Sequence, residues 1–548
     1  MAFFVAKPLA GPRDTAELRR ILSLPQRDPD EAGRSLVDEL TEALATPEGT
    51  MRLLPLQALA LSEAFDNDGC IAALPVGSGK TLISYLLPVV MFSERAVLLV
   101  PGKLHKKTIL DFSFLSQHWE NPKCYYVQSY EYISTHPRFL DDFEPDLIVA
   151  DEAHKLKNLD AACTRRVIRY WEKGTSRFCP LTGTFSERSF LDFWHLQLMA
   201  LPVGGHILPT SKDETQRWGE ALDSVTDRRA SLGALSVFGE DLNEARKGYG
   251  QFIKRVPSVI TADSAEVDAS LFIEPLEIQD PLVEEAYSNL ENTWCLPNGF
   301  ELETGPEFWR HAREIAAGFF YIWKTQPPIA WAMARKDYGK FVRDKLARSR
   351  TLDTVAQIDR EFSEHPLIKS WKKIEKSFTP ETIPIWFSPG ITNSAVNLSK
   401  EKGRTLLWYH HRAVGDRLSE IYGLPTYRNK GLNIKDGSHI YECDEDVVAV
   451  SDTALFEGFN LQPWNSNVVM TPSARGIKWE QILGRTHRPG QKQDEVNCYV
   501  MMCIPDAVKD FHHAIRDAKY ASATTAQKQK LLIADYIGEH KSRYDTTF

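Results

Sequence analysis

The run LPVGSGKT, residues 74 to 81, follows a short apolar stretch, IAA, and opens onto the helical pattern TLISYLLPVVMF. Within it Gly77, Ser78 and Gly79 make a turn whose two glycines, free of a Cβ, let backbone N–H groups point inward at phosphate oxygens. Lys80 would then reach the β and γ phosphates of a nucleoside triphosphate, and the Thr81 hydroxyl would hold magnesium. Leu74 stands where the strict phosphate-loop pattern has glycine, so the run by itself also reads as an ordinary glycine turn. Seventy-one residues past Lys80, PDLIVADEAH sets Asp151 and Glu152 directly after an apolar strand. Strand ends of open parallel sheets are where ligand-binding residues collect. Asp151 suits magnesium, and Glu152 suits the positioning or deprotonation of an attacking water. Alone, such an acidic pair would merely cap a helix; behind a phosphate loop it completes a nucleotide-hydrolysing set.

DEAHKLKN (151 to 158) and QILGRTHRPGQ (481 to 491) resemble motifs II and VI of the Swi/Snf-type ATPases, the DNA-translocating branch of helicase superfamily 2. The likeness covers roughly residues 50 to 200 and 400 to 500, with the motifs in the family's order. It implies ATP and Mg2+ as cofactors and a nucleic-acid partner, with duplex DNA favoured and RNA the alternative. Carried over residue by residue, it gives Gln57 the adenine edge to read, through an amide that both donates and accepts. LVPGKL (99 to 104) and VQSYEYI (127 to 133) would touch the nucleic-acid backbone. His154, Thr182 and Thr184 would couple hydrolysis to movement. In SDTALFEGFNLQ (451 to 462), Gly458 and Asn460 stand at family positions, Gly458 with the nucleotide and Asn460 with coupling. Gln481, Arg485 and Arg488 follow an i, i+4, i+7 spacing that would put all three on one helical face. Two forked, permanently charged guanidinium groups could then stabilise charge on the γ phosphate. Three positions depart from the family: Phe185 follows TGT where proline is usual, Glu457 replaces a small residue, and Ala474 stands where a tryptophan is expected.

These residues need two sets of strands to carry them. AVLLVP (96 to 101) and DLIVA (146 to 150) are apolar, β-branched runs that suit a buried parallel sheet. RTLLWYHH, DVVAVSDT, SNVVMT and VNCYVMM repeat that pattern between residues 404 and 502. The expected architecture is therefore α/β, with two RecA-like parallel-sheet lobes and a largely helical insertion between them. Residues 1–45 form a helical extension, 46–204 an ATP-binding lobe, 205–395 the insertion and 396–548 the second lobe. From Arg335 to Arg350 the insertion holds seven basic and two acidic residues, with Lys336, Lys340 and Arg343 on one helical face that could hold phosphates. A solvated charged helix has the same pattern.

At 548 residues the chain should hold about three or four domains. Its 43% apolar and 25% charged composition is that of a water-soluble globular protein. No apolar run approaches the roughly 20 residues of a membrane span, and MAFFVAKPLAGPRD lacks the basic start and long apolar core of a secretory signal, so a cytoplasmic chain is expected. Eight cysteines without C-x-x-C spacing suggest reduced thiols. A net charge of −9 excludes indiscriminate coating of nucleic acid, so any such binding must use a local basic surface. The sequence thus points to an ATP-dependent DNA translocase. Its rivals are a strand-separating helicase on DNA or RNA, an ATP-dependent clamp without a motor cycle, and a P-loop kinase that leaves motif VI unexplained.

Overall fold

The computed structural model describes residues 10–75, 77–183, 186–224, 230–262, 267–349, 351–456 and 458–538. Six short apolar runs, β1 (Ile71–Ala73), β2 (Ala96–Val100), β3 (Tyr125–Ser129), β4 (Leu147–Asp151), β5 (Arg177–Thr182) and β6 (Val259–Thr261), pair in parallel. Their order is β3-β2-β4-β5-β1-β6. Side chains alternate between the faces: Val97, Leu99, Ile148 and Ala150 enter one core, and Leu98, Val100, Leu147 and Val149 the other. Both faces are covered at the centre of the sheet, which is why β2 and the first four residues of β4 are apolar throughout rather than at every second residue.

Ten more strands follow: β7 (Ser270–Glu277), β8 (Phe319–Trp323), β9 (Thr382–Trp386), β10 (Thr405–Tyr409), β11 (Thr426–Arg428), β12 (Leu432–Asn433), β13 (Val447–Ser451), β14 (Ser466–Val469), β15 (Glu495–Met502) and β16 (Asp535–Tyr536). Eight of them form a mixed sheet in the order β12-β11-β13-β10-β14-β15-β7-β16, parallel except for the β11–β12 hairpin. The remaining two, β8 and β9, pair antiparallel as a separate ribbon. The α/β class expected from the sequence is what forms.

The stretch 205–395 divides instead of standing as one insertion. Helices Lys212–Leu222 and Leu242–Lys254 bury Trp218, Leu222, Tyr249 and Ile253 in the first sheet's core, and β6 extends that sheet beside β1. β7 joins the second sheet beside β15, because its alternating apolar residues, Leu271 and Ile273 among them, fit a half-covered strand. A separate helical unit remains around helix Ile329–Arg348, with Val342, Ile358 and Ile368 as its small core. Residues 1–45 carry helices Ala16–Leu22 and Pro29–Leu44. All eight cysteines are free thiols. Among the described residues no helix is long and apolar enough to cross a membrane.

The two sheets meet along a polar seam. Glu187, after β5, accepts both Nε and Nη2 of Arg475 at 2.8 Å and Lys157 Nζ at 2.6 Å. Helix Pro505–Thr525 starts in the second core with Phe511, Ala514 and Ala518. It ends against the first, where Tyr520 donates to Asp223 at 2.9 Å and the Gln527 amide donates to the carbonyl of Ala73 at 2.5 Å.

The helical unit is pinned to the first sheet's helix Ala162–Trp171 by an arginine cage. Arg166 Nε and Arg169 Nη1 reach the fully buried Asp353 carboxylate at 3.3 and 2.9 Å. Arg165 donates to the carbonyls of Leu346, Ser349 and Leu352. Removing one partner of a buried ion pair leaves an uncompensated charge, so Asp353→Asn should cost about 3–5 kcal/mol locally. Hydrogen exchange should show lost protection in helix Ile329–Arg348 while both sheets keep theirs; unaltered protection there would mean the cage does not hold the unit.

Candidate nucleotide and nucleic-acid sites

The loop after β1 turns twice through left-handed backbone, at Gly77 (φ 98°) and Gly79 (φ 75°), before helix Lys80–Val90 begins. At Gly79 the need for glycine is also steric: a Cβ there would stand 2.1 Å from Gln57 Nε2. Ser78 is buried, and Thr81 occupies the second position of the helix. Lys80 Nζ donates back to the carbonyls of Leu74 and Pro75 at 2.8 and 3.3 Å. Gln57 is buried too, with its amide oxygen accepting from Leu54 N at 2.9 Å and its nitrogen donating to Ser78 O at 3.4 Å. In this arrangement its amide braces the loop.

Two strands away, Asp151 closes β4 and Glu152 adopts φ 53°, a left-handed conformation that costs a non-glycine residue of order 1–3 kcal/mol. Strain of this size persists only where the surrounding fold over-determines the position. Burial, and then the charge of Glu152, push the Asp151 carboxyl up to about 6, with Lys80 pulling the other way. His154 Nδ1 lies 3.2 Å from Glu152 Oε2, and Tyr130 donates to the Asp151 carbonyl at 2.6 Å. Thr182 is buried at the end of β5, where its carbonyl accepts from Leu74 N at 2.8 Å. Thr184, Phe185 and Glu457 lie outside the described residues.

On the second sheet the expected helical face does not form. Helix Gly476–Leu483 ends before Arg485, and turns closing Arg485 N on Ile482 O and His487 N on Leu483 O carry the chain to Pro489-Gly490. Gln481 alone stays helical, and Arg485 and Arg488 fall in the turns that follow Gly484. Arg485 is buried, donating to the carbonyls of Gln481 and Phe459 at 2.9 and 3.0 Å. Arg488 donates to the Asn460 side-chain oxygen, and burial depresses its guanidinium.

Two residues without a motif signal join these halves. Burial raises the Glu480 carboxyl, while the charges of Lys530 and Lys80 pull it back down. Burial depresses the Lys530 ammonium; Glu480 opposes that, and Arg485 and Arg488 push the same way as burial. Lys530 N also donates to Glu480 Oε2 at 2.7 Å, and Lys530 Nζ lies 3.1 Å from Nδ1 of His487, a buried imidazole pushed down to about 4 by burial. Glu480 thus feels Lys530 on its own side and Lys80 on the first sheet's side. An acid in the apolar helix GIKWEQIL was the one trace of it in sequence; Lys530 left none.

A groove of about 700 Å3 opens where the loops after β2 and β3 face the β11–β12 hairpin and the loop after β13. The stretches 99–104 and 127–133 both contribute, so the structure brings together segments that only resemblance had linked. At its floor Gly458 (φ 84°) faces Leu104 so closely that a Cβ would stand 1.9 Å from Leu104 Cδ2, and Lys103 lies 4.3 Å from the Phe456 ring centre. Gly458 is therefore placed in this groove. Lys336, Lys340 and Arg343 are exposed on helix Ile329–Arg348 and do not line it.

No protein-family model matches the chain, and no curated protein does.

A cation held by Asp151 must displace the proton that burial and Glu152 favour. Affinity for Mg2+ should hold steady well above about pH 6 and fall about tenfold per unit below it. Calorimetric titration of Mg2+ across that range checks this; an unchanged affinity below it would place the cation elsewhere.

Proposed function

We propose that the protein is an ATP-hydrolysing motor of the helicase superfamily 2 type that moves along DNA, its two sheets serving as RecA-like lobes. The observation that carries this reading is the junction that sets the strand before the glycine loop against the arginine-bearing sheet: the Gln527 amide donates to the Ala73 carbonyl at 2.5 Å, and Lys530 N, three residues on, donates at 2.7 Å to Glu480 in the helix that leads to Arg485 and Arg488. A nucleotide-binding domain with one sheet would have no use for it.

The residues present fit the substrate and its metal. Gly79 keeps the loop open where a Cβ would collide, and the buried pair Asp151 and Glu152 gains from a cation that neutralises their mutual repulsion. Bound Mg2+ would supply charge neutralisation on the phosphates, held by Thr81 and Asp151. Lys80 would exchange the Leu74 and Pro75 carbonyls for phosphate oxygens, a stronger charge-assisted contact. Glu152, fixed by its strained backbone, would orient the attacking water. Arg485 and Arg488 would stabilise charge on the transferring phosphoryl group once the seam rearranges. The groove would be the nucleic-acid track, with Lys336, Lys340 and Arg343 a second basic surface. The apolar part of that groove favours one second reading, a strand-separating helicase.

Lys80→Ala should weaken ATP binding, whereas Glu152→Gln should bind ATP normally and stop hydrolysis, because one cradles phosphate and the other handles water. Turnover measured without nucleic acid and with single-stranded DNA, duplex DNA and RNA is the check. Wild-type rates in Glu152→Gln would refute the assignment, and nucleic-acid-independent turnover would remove the motor.

A further inference from the structure

The groove is lined unlike a track for phosphates alone. Among its described lining residues are Lys103, Lys106, Lys107 and Lys430 and no Asp or Glu, in a protein of net charge −9. Lys106 and Lys430 are exposed, and Lys107 pairs loosely with Asp111 outside the lining, at 3.6 Å. Between these cations large apolar groups stand open. Leu110 is 70% exposed, Leu432 41% and Tyr441 53%. Leucine and tyrosine faces have nothing to offer a phosphate.

The Tyr441 ring is held in place. Its hydroxyl accepts from Asn460 N at 3.1 Å, and His439 and Phe459 flank it with ring centres 4.9 and 6.1 Å away. Little side-chain entropy is left to lose when a flat partner settles on it. Opposite walls supply the cations: Lys106 and Lys107 lie on helix His105–Leu115, and Lys430 sits at the tip of the β11–β12 hairpin, where Asn429, Lys430 and Gly431 take φ values of 30°, 63° and 76° in succession. That strained turn carries Lys430 into the groove and leaves Leu432 beside it.

A paired base stacks on its neighbours and turns only its edges outward, so an aromatic shelf among lysines serves a strand whose bases are free. We propose that the groove takes a single strand of nucleic acid, with unpaired bases against Tyr441 and the apolar wall and phosphates on Lys106, Lys107 and Lys430. This rests on the motor reading above and narrows its track to one unpaired strand. It also links track to ATP site, since Asn460 binds Tyr441 through its backbone N–H and Arg488 through its side chain.

The test is equilibrium binding by the full chain, without nucleotide, of a single-stranded oligothymidylate, an abasic strand of equal length and charge, and a blunt duplex. Wild type should bind oligothymidylate tightest. Tyr441→Ala should weaken that binding roughly 5- to 100-fold, to the abasic level, leave the abasic strand unaffected, and Tyr441→Phe should restore it. Joint replacement of Lys106 and Lys107 by alanine should weaken both strands and lower the salt slope by about 0.7 per lysine. An oligouridylate run alongside separates RNA from DNA as the source; the same Tyr441 dependence with either supports the proposal. Equal wild-type affinity for thymidylate and abasic strands, preference for the duplex, or equal losses on both strands in Tyr441→Ala would overturn base stacking and leave the motor reading standing. Failure of wild type to bind any of the three would overturn the nucleic-acid reading itself.

Discussion

The junction of the two sheets turns on one carboxylate buried between them, that of Glu187. Burial alone would raise the Glu187 carboxyl, yet the paired hydrogen bonds from Arg475 and the charge of Lys157 bring it down to about 2. Breaking such a pair on one side costs far more than an exposed ion pair contributes, because the survivor stays desolvated. Around it, Arg188 meets Asp517 and Tyr520 meets Asp223, so several polar contacts share the junction. With its folded value below the ordinary carboxylate range, Glu187 lends its full stabilisation above about pH 4.5, and that contribution fades as pH falls towards 2. Helix Pro505–Thr525 makes the same junction in apolar terms, rooted in one core and ending against the other.

The sheets were legible because period and burial agree in them. Strands covered on both faces must be apolar at successive positions, and AVLLV, LIVAD and VVAVS announce that directly. The division of 205–395 was hidden for the opposite reason. β6 is only VIT, and β7 alternates Leu271 and Ile273 with half-buried Phe272 and Glu274, so neither resembles the fully buried strands it joins. Their partners, β1 and β15, lie some 190 and 225 residues away in the chain, and pairing over such separations leaves no local trace.

Parts of the candidate site could be read wherever the backbone itself does the work. Gly77, Gly79 and the strand-terminal Asp151 and Glu152 occupy places that only certain residue types tolerate, and type survives in a sequence. Positions that depend on long-range packing did not survive. The i, i+4, i+7 rule treated Arg485 and Arg488 as helical, when the helix stops at Leu483 and turns carry the chain past both. Gln57 shows the same limit, since spacing could not reveal that its amide is occupied by Leu54 and Ser78. Tyr441 and Lys430 belong to a hairpin and a turn with no motif at all, and became visible only when the groove placed them opposite Lys106.

On the proposed reading, the arginines' present partners explain how binding energy could become movement. Arg485 spends its guanidinium on two neutral carbonyls and Arg488 on the neutral amide of Asn460. A phosphate would meet each guanidinium with an opposite charge and could accept two parallel bonds, which a single carbonyl or amide oxygen does not offer. Such an exchange would favour Arg488 in particular, whose charge burial already penalises. When Arg488 leaves, Asn460 loses its side-chain partner while its backbone still holds Tyr441. The floor of the groove, where Leu104 of one sheet rests on Gly458 of the other, must shift with any such exchange, because Gly458 and Asn460 belong to one short loop. A nucleotide that draws Arg488 away and a base on Tyr441 would then both act on Asn460, one through its side chain and the other through its backbone, which would couple the two sites.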